Sequence, residues 1–352
     1  MIPESLAQQI SEKNIPLSAS FELTYQCNHK CIHCYQPSPH QAEDELTTVQ
    51  IKYILQQLAD ARCLFLALTG GEPLLHKDFW EIAEYAFRKN FAVTLQTNGS
   101  LLTRSSIGRI KELNFFQVHI SLLGADSKTH DAITGYPGSF EKVIKATQAL
   151  LEKKVTVFLK VTLIKENVNQ LRQIDRLVKN LGALVVFSPT VFPCIDYTKG
   201  PIQHRISDTD LKKAFTYLAK KDKNSLLLAQ VPDDESPLCL AGRTDCCISP
   251  KGKLHPCVGL PIVLGDLTKE TFEHIWQNSD NIRKLRSVKI KDLKKCQDCE
   301  LASLCVRCPG VGFLEKGSLI TPSEEICRIT KIIKEVFDDE EEKKVSETAV
   351  YS

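Results

Sequence analysis

The chain has little of what would place it outside an ordinary globular class. Of its 352 residues one is methionine, Met1, and two are tryptophan; nothing physical explains why methionine is missing from the rest. Neither sign of charge prevails. Lys+Arg number 45 against 43 Asp+Glu, a formal net charge of +2, so nucleic acid and membrane surfaces are not expected partners. No run approaches the roughly 18 apolar residues of a membrane-spanning helix. The opening MIPESLAQQISEKNIPLS has no basic segment followed by an apolar one, so no secretion signal is read. A cytoplasmic protein with reduced thiols is expected. Internal repeats and low-complexity linkers are also lacking, and the 43% hydrophobic content argues against disorder. Cysteine is the exception, with 14 residues. A chain this long buries a full core without disulfides, and in a reducing compartment clustered cysteines point to metal or catalysis.

Length suggests about two domains. Strands are expected at 18–25, 64–68, 91–96, 115–122, 155–164 and 183–190. Between them, helices are expected at 47–61, 78–90, 103–113, 139–154 (Ser139 as its N-cap) and 168–180. Six such β/α repeats predict an α/β fold with a parallel sheet or barrel. The expected segments are an extension at 1–17, the core at 18–200, a helical connector at 201–238 and a Cys-, Gly- and Pro-rich segment at 239–330. That segment has weak periodicity and needs something besides a hydrophobic core. The tail at 331–352, with four Lys against seven Asp+Glu, reads as a solvated helix end or frayed tail.

Cys27, Cys31 and Cys34 stand on the loop after the first strand, in CxxxCxxC spacing. Three thiolates this close can converge on an iron–sulfur cubane and leave one iron open to a ligand. The alternative is a zinc ion completed by His29 or His33. One β/α unit later, Thr69-Gly70-Gly71-Glu72-Pro73 lies at the carboxyl end of a strand, where α/β folds bind ligands. Its glycines permit close backbone approach to a ligand, and Glu72 offers a carboxylate to an amino group.

With Thr97-Asn98-Gly99 and Ser121 at the end of the fourth strand, these residues resemble the radical S-adenosylmethionine (SAM) family over residues 18–190. The resemblance implies a partial (β/α)6 barrel with a [4Fe–4S] cluster on Cys27, Cys31 and Cys34. The open iron would chelate the amino and carboxylate groups of SAM. Cofactor contacts are implied for Gly70, Gly71, Glu72, Pro73 and Asn98, for the backbone of His33 at the adenine, and for Ser121 and Lys160 at the ribose or carboxylate. A satisfied strand-end hydroxyl is the other reading of Ser121. The implied chemistry is reductive cleavage of SAM to methionine and a 5′-deoxyadenosyl radical, which takes a hydrogen from substrate within a dry, apolar barrel.

A second cysteine field holds Cys239, Cys257 with Gly252 five before it, then Cys296, Cys299, Cys305 and Cys308, then Cys327. CISPKGKLHPC (247–257) reads as a hairpin turning at Lys251-Gly252. The field resembles the SPASM extension of radical SAM enzymes, which carries two auxiliary iron–sulfur clusters. Two residues, not the usual three, separate Cys305 from Cys308. Carried over by position, one [4Fe–4S] cluster takes Cys239, Cys246, Cys257 and Cys308. The other takes Cys296, Cys299, Cys305 and Cys327. Cys247 is the alternative to Cys246, since strand neighbours face opposite ways; a zinc ribbon is the other reading of the field. Cys63 reads as a core residue. Cys194, past the sixth strand, is a candidate hydrogen-atom donor or substrate contact, or a loop thiol. Asp131 is a candidate base or a helix-start carboxylate.

Relatives of this architecture mature ribosomally made peptides, and SLLGADSKTHDAITGYPGSF (121–140) resembles that branch. Cys27 is too near the start for a fused leader-binding domain, so a separate leader-peptide-binding protein is an expected partner. The alternatives are tetrapyrrole side-chain modification, as in haem-synthesis relatives, and a non-catalytic zinc-stabilised binding module. The basic stretch 283–295 reads as a solvated face or as a dock for an electron donor such as flavodoxin or ferredoxin.

Overall fold

The computed structural model describes residues 4–37, 43–221 and 235–349. Six parallel strands alternate with helices in the expected order. They are β1 (Ser18–Glu22), β2 (Phe65–Thr69), β3 (Ala92–Thr97), β4 (Gln117–Ser121), β5 (Val157–Thr162) and β6 (Leu184–Ser188), and they lie in sheet order β6-β5-β4-β3-β2-β1. The helices start where local chemistry dictates. In α2 (Thr48–Asp60), which follows α1 (Glu4–Glu12), Thr47 and Gln50 cap each other reciprocally, and Ile51, Ile54, Leu55 and Leu58 form the buried stripe. After α3 (Phe79–Arg88), α4 (Arg104–Glu112) begins the same way at Thr103 with Ser106.

Strand alternation divides the sheet. Phe21, Leu68, Leu95, Ile120 and Leu159 share the face that packs on the helices, and all are fully buried. The other face lines the barrel and carries Glu22, Thr69, Gln96, His119, Ser121 and Lys160. The expected apolar interior is therefore not what the strands present: their apolar residues are taken by the helix-facing core.

Local departures have local causes. A further helix, α5 (Ser127–Thr134), follows β4, with Asp126 accepting from Thr129 N at 2.8 Å as its cap. The N-cap of α6 (Ser139–Glu152) is Gly138 at φ +79°, not Ser139, whose hydroxyl donates to Asp131 at 2.8 Å. A 3-10 turn over Val168–Gln170 precedes α7 (Leu171–Leu181).

The sheet also crosses the expected boundary between core and Cys-rich segment. β7 (Asp245–Ile248) pairs in parallel with β1, followed by antiparallel β8 (Lys253–His255) and β9 (Gly265–Asp266). The β7–β8 hairpin turns at Gly252, φ +75°, as expected. The segment is held by a hydrophobic core after all, but it is the barrel's: α9 (Phe272–Asn278) and α10 (Asp280–Ser287) bury Phe272, Ile275, Trp276 and Ile282 in the same apolar cluster as β1, β2 and α2. The connector contributes α8 (Asp208–Lys221); its residues 222–234 lie outside the described residues. After α11 (Pro309–Lys316), α12 (Glu324–Ala349) replaces the expected solvated or frayed tail in its first half, packing on α8 and burying Ile332, Ile333, Val336 and Phe337. No helix among the described residues is long and apolar enough to cross a membrane. Ile333→Ala should lower stability by about 2–5 kcal/mol, read as an earlier urea transition; an unchanged midpoint would show that α12 is peripheral.

Candidate iron–sulfur and cofactor site

The β1–β2 ladder does not stop at the strand ends. Leu23 N donates to Thr69 O at 2.9 Å, Gly71 N to Thr24 O at 2.8 Å and Glu72 N to Gln26 O at 2.7 Å. A Cβ on Gly70, φ +132°, would lie 2.4 Å from Thr24 O, and one on Gly71 would lie 2.2 Å from Gln26 O. The backbone that these glycines admit is thus the chain's own, the segment leading into Cys27. Pro73, buried, opens a 3-10 turn over Pro73–Leu75.

On its other side the cysteine loop docks on the end of α5. Lys30 N donates to Thr134 O at 2.8 Å, Ile32 N to Ile133 O at 3.1 Å, and His29 stacks on Tyr136 with ring centroids 4.8 Å apart. The Cys27, Cys31 and Cys34 thiols are near enough to influence one another. Burial pushes the Cys31 thiol well above its ordinary range and Cys34 up to about 11, with the neighbouring thiols adding to the rise. Such thiols ionise when a metal takes them as ligands. Yet no three Cys, His, Asp or Glu side chains among the described residues close around a single ion. A cubane spreads its irons, and so suits this donor set better than one zinc. The His33 backbone N–H and carbonyl have no protein partner among the described residues, and its Nδ1 is buried and unpaired.

Glu72 is fully buried. Its Oε1 accepts from Leu74 N at 3.2 Å and Thr97 Oγ1 at 2.7 Å, and its Oε2 from Asn98 N at 2.8 Å. Burial raises its pKa to about 7 against these hydrogen bonds. Most of its acceptor capacity therefore holds the Thr97-Asn98-Gly99 turn, a role that motif spacing did not reveal; one Oε2 lone pair is left for a ligand. Ser121 is half-buried at the end of β4, and its hydroxyl has no side-chain hydrogen-bond partner among the described residues. Beside it in register stands Lys160, which has no carboxylate partner among the described residues and whose pKa is lowered by burial. Glu22, unremarked in the sequence, is a buried carboxylate on the barrel face, bonded by Gln36 Nε2 at 2.6 Å and raised by burial to about 7.

Neither candidate catalytic residue opens onto the barrel. Asp131 accepts from Gly138 N at 2.6 Å, Phe140 N at 2.8 Å and Ser139 Oγ at 2.8 Å, so it is a helix-start carboxylate, not a base. Burial would raise its pKa, but these bonds outweigh that and hold it below the usual carboxylate range. The buried Cys194 thiol points at the Cys34 carbonyl, 3.5 Å away, and the Gln36 carbonyl, 3.8 Å away.

The second field forms two groups. Cys296, Cys299, Cys305 and Cys327 line one cavity, and burial, with the neighbouring thiols adding to it, raises the pKa of Cys296 and Cys327. Cys308 also borders it, yet interacts with Cys239 and Cys257, thiols that burial pushes up to about 11 and 12. Cys246 does not join this trio. Strand alternation turns it into the helix-facing core beside Cys63, its thiol towards Ser18 O at 3.9 Å, and sends Cys247 to the opposite face within reach of Cys257 and Glu22. Cys63 is a buried core thiol, as expected. The basic stretch is partly tied down: Lys289 and Lys291 pair with Glu235, and Arg286 lies over the Trp276 ring at 4.7 Å.

Two outcomes follow. Gly71→Ala must displace the cysteine loop, so reconstituted protein should hold about one third less iron, with the second field still loaded; full iron content would refute the close-approach argument. Asp131→Asn should destabilise the protein at neutral pH. Because the folded pKa is depressed, this contribution is present above the unfolded carboxylate pKa and is lost as pH falls through the folded value. The gap between variant and parent melting temperatures should close in acid.

Residues 21–178 match the radical SAM superfamily model, and residues 239–300 match the SPASM iron–sulfur cluster-binding domain. An AdoMet-dependent heme synthase of Methanosarcina barkeri is 28% identical over 340 residues, covering 88% of this chain and 96% of that protein. The mycofactocin maturase MftC of Mycobacterium tuberculosis is 29% identical over 303 residues, covering 81% of this chain and 76% of the relative. In fold the chain resembles Streptococcus suis SuiB bound to its precursor peptide SuiA, with a TM-score of 0.72 at 18% identity over 92% of this chain and 79% of that one. Together the two matched spans take in more than half of the sequence, and they contain the cysteine loop with its glycine floor and most of the second field. The chain belongs to the radical SAM superfamily and carries a SPASM iron–sulfur domain behind its barrel.

Proposed function

We propose that this protein is a radical SAM/SPASM enzyme that modifies a ribosomally made peptide, with Cys27, Cys31 and Cys34 as ligands of the SAM-binding [4Fe–4S] cluster. The observation that carries the reading is the placement of these thiols, near enough to influence one another, on a loop clamped between Gly70–Glu72 and α5. When bound, the cluster supplies the electron that splits SAM and yields a radical able to remove a substrate hydrogen.

The chain's own part is binding and orientation. The free backbone groups of His33 suit the adenine edge. The spare lone pair of Glu72 accepts from the amino group, while Ser121 and the unpaired Lys160 ammonium suit the ribose or carboxylate. Asn98 belongs to the same wall. The polar barrel face holds substrate groups by hydrogen bonds, which keeps the reacting carbon in place. In the SPASM domain, Cys239, Cys257 and Cys308 with Cys247 in place of Cys246, and Cys296, Cys299, Cys305 and Cys327, are assigned as ligands of two auxiliary clusters. The division at 18–200 and 239–330 and a cytoplasmic location belong to the same proposal, as do flavodoxin or ferredoxin as electron donor and a separate leader-peptide-binding protein.

The peptide substrate rests on the similarity to a maturase and on the 121–140 segment. The second reading, tetrapyrrole modification, is favoured by the match over nearly the whole length of a heme synthase. Anaerobic turnover with dithionite and SAM against candidate peptides and porphyrins separates them by which product mass changes. Replacing Cys27, Cys31 and Cys34 together by Ala should abolish SAM cleavage while leaving about eight of about 12 irons. Cleavage surviving in that variant, or zinc without iron in the parent, would overturn the proposal.

A further inference from the structure

Helix α11 begins directly on a cysteine. Cys308 is its N-cap, and Pro309, Gly310, Val311 and Gly312 follow, all buried. Glycine weakens a helix, so two of them within one turn of an eight-residue helix call for a reason. The reason is close backbone approach, and each glycine meets a different segment.

A Cβ on Gly310 would stand 2.5 Å from Gly259 O and 3.7 Å from Cys308 Sγ. Gly259 lies in the turn that follows Cys257, closed by Leu260 N donating to Cys257 O at 3.3 Å. Packing thus joins Cys308 to the Cys257 turn. A Cβ on Gly312 would stand 2.7 Å from Thr321 O. Thr321 leads into the first turn of α12, where Ile326 N donates to Ser323 Oγ at 3.1 Å and Cys327 N to Ser323 O at 3.0 Å. Thr321, Ser323 and Cys327 line the same cavity as Cys296, Cys299 and Cys305. Residues two apart on a helix point about 200° from one another. One turn of α11 therefore meets a segment of one cysteine group on one side and a segment of the other group on the opposite side. Both contacts are with backbone oxygens, which no change of rotamer moves.

We propose that Gly310 and Gly312 are positioning residues for the two auxiliary clusters, one each: Gly310 sets how closely Cys308 approaches Cys257, and Gly312 sets where Cys327 stands against Cys296, Cys299 and Cys305. The inference rests on the reading that the second cysteine field carries two clusters divided in this way. A ligand set has to be held within about 0.5 Å of the geometry that fits its metal. A carbon–oxygen contact of 2.5 or 2.7 Å has to open before it is tolerated. For Gly310 it opens by carrying Cys308 away from the Cys257 turn, and for Gly312 by carrying the start of α12, with Cys327, away from α11.

The test uses the anaerobically reconstituted full chain with Gly310→Ala, Gly312→Ala and, as a control, Gly108→Ala in α4, where a Cβ meets nothing within 4 Å. Cys239→Ala and Cys296→Ala mark which electron paramagnetic resonance signal of the reduced protein belongs to which auxiliary cluster. Iron and sulfide per chain are measured beside the spectra, and circular dichroism reports the fold. Gly310→Ala should lose about one third of the iron, together with the signal missing from Cys239→Ala. Gly312→Ala should lose about one third of the iron and the signal missing from Cys296→Ala. The signal that changes when SAM is added should persist in both, and Gly108→Ala should keep all its iron. Helix propensity by itself favours alanine at every one of these positions, so it predicts no loss of either cluster. Full iron in either variant, loss of the same signal in both, or loss of both auxiliary signals in either would overturn the proposal. If one variant fails to fold, the other decides by the same outcomes. Failure of both would overturn it, because the contacts would then hold the whole domain and not one cluster each. A parent with about four irons, or with zinc in the second field, would instead overturn the reading of that field.

Discussion

The continuation of the β1–β2 hydrogen-bond ladder beyond the strand ends is the constraint on which the site depends. Thr24 and Gln26 carbonyls are bonded by the amides of Gly71 and Glu72, at a separation that leaves no room for a Cβ. This places Cys27 at the barrel mouth without any contribution from a metal. The same glycine floor starts the 3-10 turn that carries Glu72, and Glu72 in turn holds the Thr-Asn-Gly turn at the end of β3. Three strand ends are thus tied through one residue, Glu72, its amide bonding the segment after β1 and its buried carboxylate the end of β3, which is why a group so costly to bury is retained there.

The barrel wall follows a second rule, the alternation of side chains along each strand. The helices claim one face and take its apolar residues. The other face is left to polar groups: Gln96, His119 and Lys160, with Glu22 on the same face at the end of β1. Burial lowers the His119 pKa to about 4, with Lys160 adding to the effect, so its imidazole is neutral at physiological pH. The interior thus offers directional hydrogen bonds and one unpaired ammonium, a surface that orients a polar substrate more readily than an apolar one.

The SPASM segment is not an appendage hung on a linker. β7 adds to the free side of β1, so the strand that leads into the first cysteine loop and the strand that carries Cys247 are neighbours in one sheet, spaced by a strand separation of about 4.8 Å. The relative placement of the first and second cysteine fields is therefore set by backbone hydrogen bonds. Glu22 at the end of β1 is near enough to both fields to help raise the pKa of Cys34 and of Cys247. Electron exchange between centres depends on their separation, and a shared sheet keeps that separation constant.

What the sequence determined by itself is what depends on short range. Spacing within a loop brought out Cys27, Cys31 and Cys34, the Gly70–Pro73 turn and the Cys296–Cys308 run. Hydrophobic periodicity located the six strands and the helices between them to within a few residues. Only the tertiary structure decided questions that rest on pairing between distant segments. Cys246 and Cys247 are adjacent in sequence, and their roles separate only through the register of β7 on β1, more than two hundred residues earlier in the chain. Asp131 caps a helix start that its own helix did not announce, and Asn98 meets Asn28 only because β3 ends beside β1's loop across an intervening strand. The burial of α12 on α8 likewise overrode a charge pattern that by itself spelled a solvated tail. Local chemistry writes the cysteine spacings into the sequence, but which face a side chain takes and which neighbour it meets are properties of register, and register exists only once the sheet has formed.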